Sequence, residues 1–362
     1  MQDRIIEFIR ANPAAPPSED DFTALALDVF ARQYETVPLY RRLCEARGVR
    51  PGQASDWHAV PAAPADIFKA DLGDGLTDPH IFLSSGTTQG PQRRSRHAIA
   101  SLDTYRASAL EQFERMVLPD SPGRMSVLVL GPTRTSHPHS SLAQMFEWCL
   151  SEYGNDLGAT TFDDNGGFDL AGAVDWLRSA ASATQPALIL SVSSALSPVI
   201  DELRKRSLEL RLPADSRIVD TGGNKPSAAG SRVMSAKGLL KACWRYLHVP
   251  SYLCVNEYGM TEMLSQFYDD ALLSRWDGSL LPRAKIGPHW TRTVVVNPTT
   301  LEPIPDGNVG LLRHLDLANW ESISAIQTLD LAETCGRGFA LKGRAGGAET
   351  RGCSQLLETI LD

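Results

Sequence analysis

The sequence predicts an α/β protein in which a mostly parallel sheet is packed with helices. From Met125 onward, short apolar runs alternate with segments of helical spacing, a pattern typical of parallel strands joined by crossover helices. The composition is that of a globular protein, with 43% hydrophobic and 22% charged residues. At 362 residues the chain is long enough to bury a sizeable core, as one large domain or as two.

The first eighty residues predict a helical lead-in. Ser18 is a suitable helix N-cap because an acidic turn follows it. One face of the helix should be buried, because apolar residues recur at helical spacing at Phe22, Leu25, Ala26, Val29 and Phe30. A Pro- and Ala-rich stretch at 60–64 then predicts a rigid connection to the next part of the chain.

The alternating part of the chain predicts six further elements. In chain order they are a strand at 127–130, a helix at 141–150, strands at 188–190 and 217–219, a helix within 231–246 and a strand at 252–255. Between the second and third strands, Ser197 and Pro198 indicate the start of a helix that runs to Arg206. Ser is a common N-cap, and Pro is favoured at the first helical position.

Polar segments follow the predicted strands. They lie at 133–139, which contains His137 and His139, and at 191–194, 220–225 and 256–262. Because ligands collect beyond the carboxyl ends of parallel strands, we expect these segments to face one shared site. Taken singly, each also fits an ordinary loop, a tight turn or a helix start.

The stretch from Ser84 to Arg96 predicts a phosphate-binding loop. Two apolar residues lead into a run of small hydroxyls and glycines, and the run ends in three arginines within four positions. Hydroxyls and backbone N–H groups can surround a polyphosphate, glycine permits close approach, and guanidinium groups neutralise its charge. The alternative is a solvated Ser/Gly-rich loop with a basic end. The stretch is neither a Walker loop nor a Gly-x-Gly-x-x-Gly fingerprint.

Net charge, cysteine usage and hydropathy argue against several classes of protein. A net charge of −8 argues against general nucleic-acid binding. The six cysteines include no Cys-x-x-Cys pair, so a zinc site or a disulfide framework is not expected and a reducing cytoplasm fits. No stretch of eighteen apolar residues occurs, and the N-terminus lacks an apolar run, so we expect neither a membrane span nor a signal peptide.

Two distant motifs resemble those of a known superfamily. Ser84-Ser85-Gly86-Thr87-Thr88, followed far downstream by Tyr258-Gly259-Met260-Thr261-Glu262, is similar to the pair of core motifs of the adenylate-forming superfamily. That superfamily comprises acyl-CoA synthetases, adenylation domains and luciferases. Asp330 resembles its ribose-binding acid, and Arg344 resembles its hinge-region arginine. The resemblance implies the N-terminal domain of an adenylate-forming enzyme, with a smaller β-rich part near the C-terminus.

The ends of the chain resemble one branch of that superfamily. The lead-in and residues 343–354 are similar to the acyl-protein synthetases of the LuxE family. In the lead-in, the residues that carry the similarity are Gln33, Tyr40, Cys44, Pro64, Phe68 and Lys69. A small branch that activates phenazine carboxylates in antibiotic biosynthesis is also similar. The resemblance implies one domain over 1–342 and a short tail over 343–362. Within the domain we expect a lead-in at 1–80, an α/β core at 81–285 and a β-rich part at 286–342.

The resemblance implies binding of ATP and Mg²⁺ and assigns roles to residues. The residues that would bind the phosphates are Ser84, Ser85, Gly86, Thr87 and Thr88, with Arg93 or Arg94. Thr261 would contact the α-phosphate, Glu262 would hold Mg²⁺, and Arg344 would assist beside the ribose. Asp330 would accept the ribose hydroxyls. Gly222, Gly223 and Asn224 would frame the adenine, Tyr258 would stack on it, and Gly259 would also bind the nucleotide. The acyl pocket would include His137, His139, Gly259 and Met260.

The chain departs from the superfamily pattern in two ways. In the phosphate loop, Gln89 precedes Gly90 and arginines take the place of the usual lysine; arginine can still bind phosphate. The mobile C-terminal domain of the superfamily, which supplies a lysine to the adenylation transition state, has no counterpart after Arg344. Adenylation is therefore expected to be slow.

The expected substrate is a small carboxylic acid, aromatic or fatty, with the phenazine resemblance favouring an aromatic acid. Its acyl group would pass to an internal cysteine, to a partner such as a reductase or carrier protein, or to coenzyme A. Cys353 is the internal candidate, because its position matches the acyl-accepting cysteine of the acyl-protein synthetases, and Arg351 could lower the pKa of its thiol. Two alternatives stay open. One is a fatty acyl-protein synthetase that feeds a reductase, and the other is a nucleotide- or acid-binding protein that has lost catalysis.

Overall fold

The computed structural model describes residues 1–12, 14–85, 94–222, 234–276, 278 and 282–346. The chain divides into two compact units. The first unit comprises Met1–Glu111, Gly259–Phe267 and Ala284–Asp362, and the second comprises Gln112–Tyr258 and Tyr268–Arg283. The predicted division at residues 342 and 343 stays a prediction.

The first unit begins with the predicted helical lead-in. Its helices are α1 (Gln2–Ile9), α2 (Glu19–Thr36) and α3 (Pro38–Ala46). α2 starts at Ser18 with a capping box: the Ser18 hydroxyl accepts a bond from the Asp21 N–H at 3.1 Å, and the Asp21 carboxylate accepts one from the Ser18 N–H at 3.0 Å. The predicted apolar face of α2 is buried from Phe22 to Phe30.

An antiparallel sheet forms the β-rich part of the first unit. Its strands lie in the order β11-β12-β13-β14-β10, and β1 pairs in parallel with β13. The bounds are β1 (Ala63–Pro64), β10 (Lys285–Ile286), β11 (Thr291–Val296), β12 (Val309–Asp316), β13 (Ala325–Cys335) and β14 (Gly338–Arg344). A separate hairpin pairs β2 (His80–Leu83) with β3 (Arg96–Ile99), so the predicted phosphate loop connects two paired strands. The Ser84 N–H extends this pairing by donating to the Ser95 carbonyl at 3.0 Å.

The second unit contains the predicted parallel sheet. β4 pairs in parallel with β5 and β6, β6 with β7, and β7 with β8. The strands are β4 (Ser126–Leu130), β5 (Ala159–Thr160), β6 (Ala187–Val192), β7 (Arg217–Thr221), β8 (Cys254–Tyr258) and β9 (Phe267–Asp269). The helices are α4 (Asp103–Val117, which begins in the first unit), α5 (Ser141–Tyr153), α6 (Leu170–Ala181), α7 (Ser193–Lys205), α8 (Ala236–Leu247) and α9 (Ala271–Trp276). The predicted fold class is confirmed.

One predicted helix start is wrong. α7 begins at Ser193, immediately after β6, and Pro198 is its sixth residue rather than its first. The N-cap is Val192, which offers no side-chain bond, so the sequence carries no capping signal at the true start. Ser197 is instead buried, and its hydroxyl accepts a bond from the Met234 N–H at 3.2 Å. Among the described residues, no helix is long and apolar enough to cross a membrane.

Candidate functional site

Glu262 is a buried carboxylate in the first unit. Its residue is 8% exposed, and the hydroxyl of Ser95 donates a hydrogen bond to it. Burial raises the pKa of Glu262 above its ordinary value of 4.5; the Ser95 bond and the charge of Arg344 oppose this rise, and the nearby Asp66 adds to it. Ser95, near the end of the predicted phosphate-binding stretch, therefore contacts Glu262.

His97 connects the same two parts of the first unit. Its imidazole is fully buried, with Nδ1 2.9 Å from the Thr261 carbonyl oxygen and Nε2 2.8 Å from the Ser322 hydroxyl. A carbonyl oxygen can only accept, so Nδ1 carries the proton and Nε2 accepts from Ser322. Burial lowers the pKa of His97 to about 4, against the effect of the Thr261 bond, so the ring is neutral at pH 7.

Two buried side chains hold the backbone that follows Thr261. Asn319 donates from Nδ2 to the Glu262 carbonyl at 2.7 Å. Asp316 accepts bonds from the N–H groups of Leu264 and Ser265 at 3.2 and 3.0 Å. Burial raises the pKa of Asp316 to about 6 although four bonds to its carboxylate oppose the rise. These contacts satisfy the backbone of a segment that is neither helix nor strand.

Asp330 and Arg344 face each other across two strands. They are directly opposed residues of β13 and β14, beside an irregularity in the pairing at Leu331 and Ala332. Asp330 is half-buried and Arg344 is exposed. The charge of Arg344 also lowers the pKa of Glu262, so Arg344 lies near both predicted acidic groups.

A polar groove of about 750 Å³ adjoins the β2–β3 hairpin in the first unit. Its charged lining consists of Lys69, Asp71, Asp74, Arg94 and Arg96. Arg94 is exposed, and Lys69 makes an ion pair with Asp66 at 2.8 Å. Ser84 and Ser85 begin the loop beside this groove, and the Ser84 hydroxyl already accepts a bond from the Ser95 N–H at 2.9 Å.

Polar groups of three segments meet at the carboxyl ends of the parallel strands in the second unit, and the expectation of one site shared by all four segments stays a prediction. Ser193 donates from its hydroxyl to the Asp220 carboxylate at 2.7 Å, and Asn256 donates from Nδ2 to the Asp220 carbonyl at 2.8 Å. Thr221 donates to the buried carboxylate of Glu257. Gly222 follows in a left-handed backbone conformation with φ +96°, which glycine adopts without strain.

The remaining residues that the sequence predicted for the site differ in burial and position. Tyr258 is half-buried at the end of β8. In the first unit Gly259 is exposed and Met260 half-buried. His137 and His139 are exposed in the loop after β4, where His137 Nδ1 lies 2.9 Å from the hydroxyl of its neighbour Ser136. Seven predicted site residues lie outside the described residues: Gly86, Thr87, Thr88, Arg93, Gly223, Asn224 and Cys353.

Sequence reasoning missed the buried residues that support Thr261 and Glu262. In the sequence, His97 directly follows a run of arginines and looks like one more basic residue of that run. The strand register, however, places it opposite the buried Phe82. Asp316 lies between Leu315 and Leu317, and an acid flanked by apolar residues at a strand end is a signal of a buried carboxylate. Within the described ranges, no cluster of three or more His, Cys, Asp or Glu side chains forms a ready-made metal site.

Comparison with solved structures identifies the fold. The chain is similar to 2-hydroxyisobutyryl-CoA ligase in its postadenylation state in complex with 2-HIB-AMP, with a TM-score of 0.62 and 15% identity over 90% of this chain and 67% of that one. It is also similar to an open conformation of the same ligase in complex with 2-HIB-AMP and CoA, with a TM-score of 0.61 and 16% identity over 90% of this chain and 74% of that one. No protein-family model matches the chain, and no curated protein matches it significantly. At this identity the likeness establishes the fold.

Proposed function

We propose that this protein activates a carboxylic acid as an acyl adenylate, using Mg²⁺ and ATP, and passes the acyl group to a thiol or a partner protein. The observation that carries the proposal is the meeting of Ser95, Thr261 and Glu262 in the first unit, beside Arg344. Thr261, Glu262 and Arg344 come from the elements that resemble the adenylate-forming superfamily, and Ser95 lies in the predicted phosphate-binding stretch. A fold similar to that of a ligase described with an acyl-AMP supports the same reaction.

The proposed chemistry requires charge neutralisation and alignment more than proton transfer. A carboxylate oxygen attacks the α-phosphorus of ATP, and the bond to pyrophosphate breaks. The acceptor thiolate then attacks the acyl carbonyl, AMP leaves, and the thiol proton goes to solvent. Thr261 would contact the α-phosphate, and the loop from Ser84 to Arg94 would surround the departing phosphates.

Glu262 suits a magnesium ion that is shared with phosphate. Its carboxyl is buried with a raised pKa, so its negative charge is incompletely compensated, and an approaching cation would relieve that cost. Mg²⁺ is commonly held by one or two carboxylates together with substrate phosphates, so the proposed site needs no further protein carboxylate beside Glu262. When bound, the ion would neutralise charge on the phosphates.

The remaining assignments are part of the proposal. Asp330 would accept the ribose hydroxyls, with Arg344 opposite it across the strands. Gly222 and Tyr258 keep their expected roles toward adenine. An aromatic acid, such as a phenazine carboxylate, is the proposed substrate class, and a fatty acid is the other class to test. The proposed acceptors are Cys353, a carrier or reductase partner, or coenzyme A.

Carboxylate-dependent exchange of labelled pyrophosphate into ATP tests the proposal. The acid panel should contain aromatic and fatty acids, each with and without Mg²⁺ and with candidate acceptor proteins. We expect exchange with at least one acid, dependent on Mg²⁺. If no acid supports exchange and ATP still stabilises the protein against heat, the protein binds nucleotide without forming an adenylate and the proposal fails.

A further inference from the structure

The segment that carries Thr261 and Glu262 depends on side chains for its geometry. It connects β8 to β9 across Gly259–Gln266 without a helix or a strand. The peptide on each side of Glu262 is held by a different buried side chain. The Thr261 carbonyl accepts from His97 at 2.9 Å, and the Glu262 carbonyl accepts from Asn319 at 2.7 Å.

The bond from His97 acts on the peptide that joins Thr261 to Glu262. A peptide unit is planar, so the orientation of the Thr261 carbonyl also sets that of the Glu262 N–H. This N–H donates to the carboxylate of Glu262 itself. His97 therefore constrains, through one rigid plane, the backbone torsion after Thr261, the torsion before Glu262 and a hydrogen bond to the carboxylate.

We propose that His97 is a positioning residue, which orients Thr261 and Glu262 through their shared peptide. The inference rests on the proposed function, because its effect is defined for phosphate and magnesium binding. His97 is fully buried, and burial lowers its pKa to about 4, so the ring is neutral at pH 7. Its ring also packs edge-on against Phe68, with centroids 5.2 Å apart, which limits its rotation.

The Thr261 carbonyl fixes which nitrogen carries the proton, because a carbonyl oxygen can only accept and lies 2.9 Å from Nδ1. The Ser322 hydroxyl lies 2.8 Å from Nε2 and can either donate or accept, so it donates to the unprotonated nitrogen. A ring with its proton on Nε2 would leave the Thr261 carbonyl without its donor.

A matched pair of substitutions tests the inference. His97→Asn places an amide nitrogen where Nδ1 stands and can still donate to Thr261. His97→Gln reaches toward Ser322 but offers no donor at the Nδ1 position. Both lose part of the buried ring and one of its two hydrogen bonds, so both should lose similar thermal stability.

We expect kcat of pyrophosphate exchange to separate the two variants. His97→Asn should retain kcat within roughly fivefold, whereas His97→Gln should lose roughly tenfold to a hundredfold, the cost of a misplaced reacting group. The KM for the acid should change little in either. His97→Gln should also lose the Mg²⁺-dependent part of nucleotide-induced thermal stabilisation, which is measured without turnover. Equal kcat in the two folded variants overturns the inference.

A measurement on the parent protein covers the case in which both variants fail to fold. Nitrogen NMR of protein labelled with ¹⁵N-histidine should show His97 protonated on Nδ1 at pH 7. A parent ring protonated on Nε2 refutes the inference alone. A parent with no exchange for any acid refutes the proposed function, and this inference falls with it.

Discussion

Glu262→Gln removes one negative charge from the buried site and changes little else. Gln has the shape of Glu, and its amide oxygen can still accept the bond that the Ser95 hydroxyl donates. We expect pyrophosphate exchange to fall by roughly a hundredfold, the scale of losing one preorganised electrostatic contact. The fold should survive, because the substitution conserves side-chain volume.

The pH dependence of the stability of Glu262→Gln provides a second, independent test that the carboxyl of Glu262 is buried. Burial raises the pKa of Glu262, whereas the unfolded chain ionises near 4.5. The contribution of Glu262 to the stability of the parent therefore falls as the pH rises above about 4.5, because its carboxyl releases a proton in the unfolded state first. Gln does not ionise, so Glu262→Gln should equal or exceed the parent in stability at pH 7, and this advantage should vanish as the pH falls toward 4.5.

Glu321→Gln is the matched control. Glu321 is a half-buried carboxylate of the first unit whose pKa burial also raises, and it accepts a bond from the Ala100 N–H at 3.0 Å. It should show a similar dependence of stability on pH without the loss of exchange. Thermal scans with ATP and Mg²⁺ complete the assay, because a ligand at a hundred times its Kd adds about 2.7 kcal/mol of stability. Full exchange in Glu262→Gln, or an equal loss in Glu321→Gln, would refute the metal assignment.

Three further predictions concern other parts of the chain. Asp330→Ala should raise the KM for ATP by roughly tenfold to a hundredfold, since charge-assisted bonds to the ribose are worth about 1.5–3 kcal/mol; an unchanged KM contradicts the ribose role. Burial raises the pKa of Asp316 to about 6 from 3.8, so the contribution of Asp316 to the unfolding free energy should fall by about 3 kcal/mol as the pH rises from 3.8 to 6 and then level off. The difference between the parent and Asp316→Asn in urea titrations should show this change with pH. With ATP and labelled acid, the parent should form an acyl adduct that hydroxylamine releases, and Cys353→Ala should form none, as measured by intact mass. A parent without an adduct, together with unchanged turnover in Cys353→Ala, excludes the thioester.

Sequence signals within a few residues of one another, such as helix caps and the spacing of apolar residues, predicted individual helices and strands correctly. Ser18 and Asp21 carry the capping box within four residues of chain, and α2 begins where they indicate. The alternation of apolar runs with helical segments predicted a mostly parallel sheet, and β4, β6, β7 and β8 pair in parallel. The same reasoning misplaced the start of α7, because Val192 provides no cap and Pro198 is tolerated inside the helix.

The candidate site was predicted only where its residues belong to motifs. Thr261 and Glu262 follow a strand and carry a resemblance, so the sequence identified them. Their supports could not be found in this way, because the partners are far apart in sequence: His97 lies 164 residues from Thr261, and Asn319 lies 57 residues from Glu262. The sequence alone contains no signal that pairs residues at such separations.

These long-range supports have a physical reason. A strand or helix satisfies its backbone groups by its own repeating pattern, but the turn at Thr261 and Glu262 has no such pattern. An unsatisfied buried peptide group costs about 1–3 kcal/mol, so several in succession would make this turn unstable. His97, Asn319 and Asp316 supply the missing partners from three other parts of the first unit. A carboxylate can then be held in a buried turn, where its charge is strong because water is excluded, and its geometry is determined by residues that need not touch a ligand.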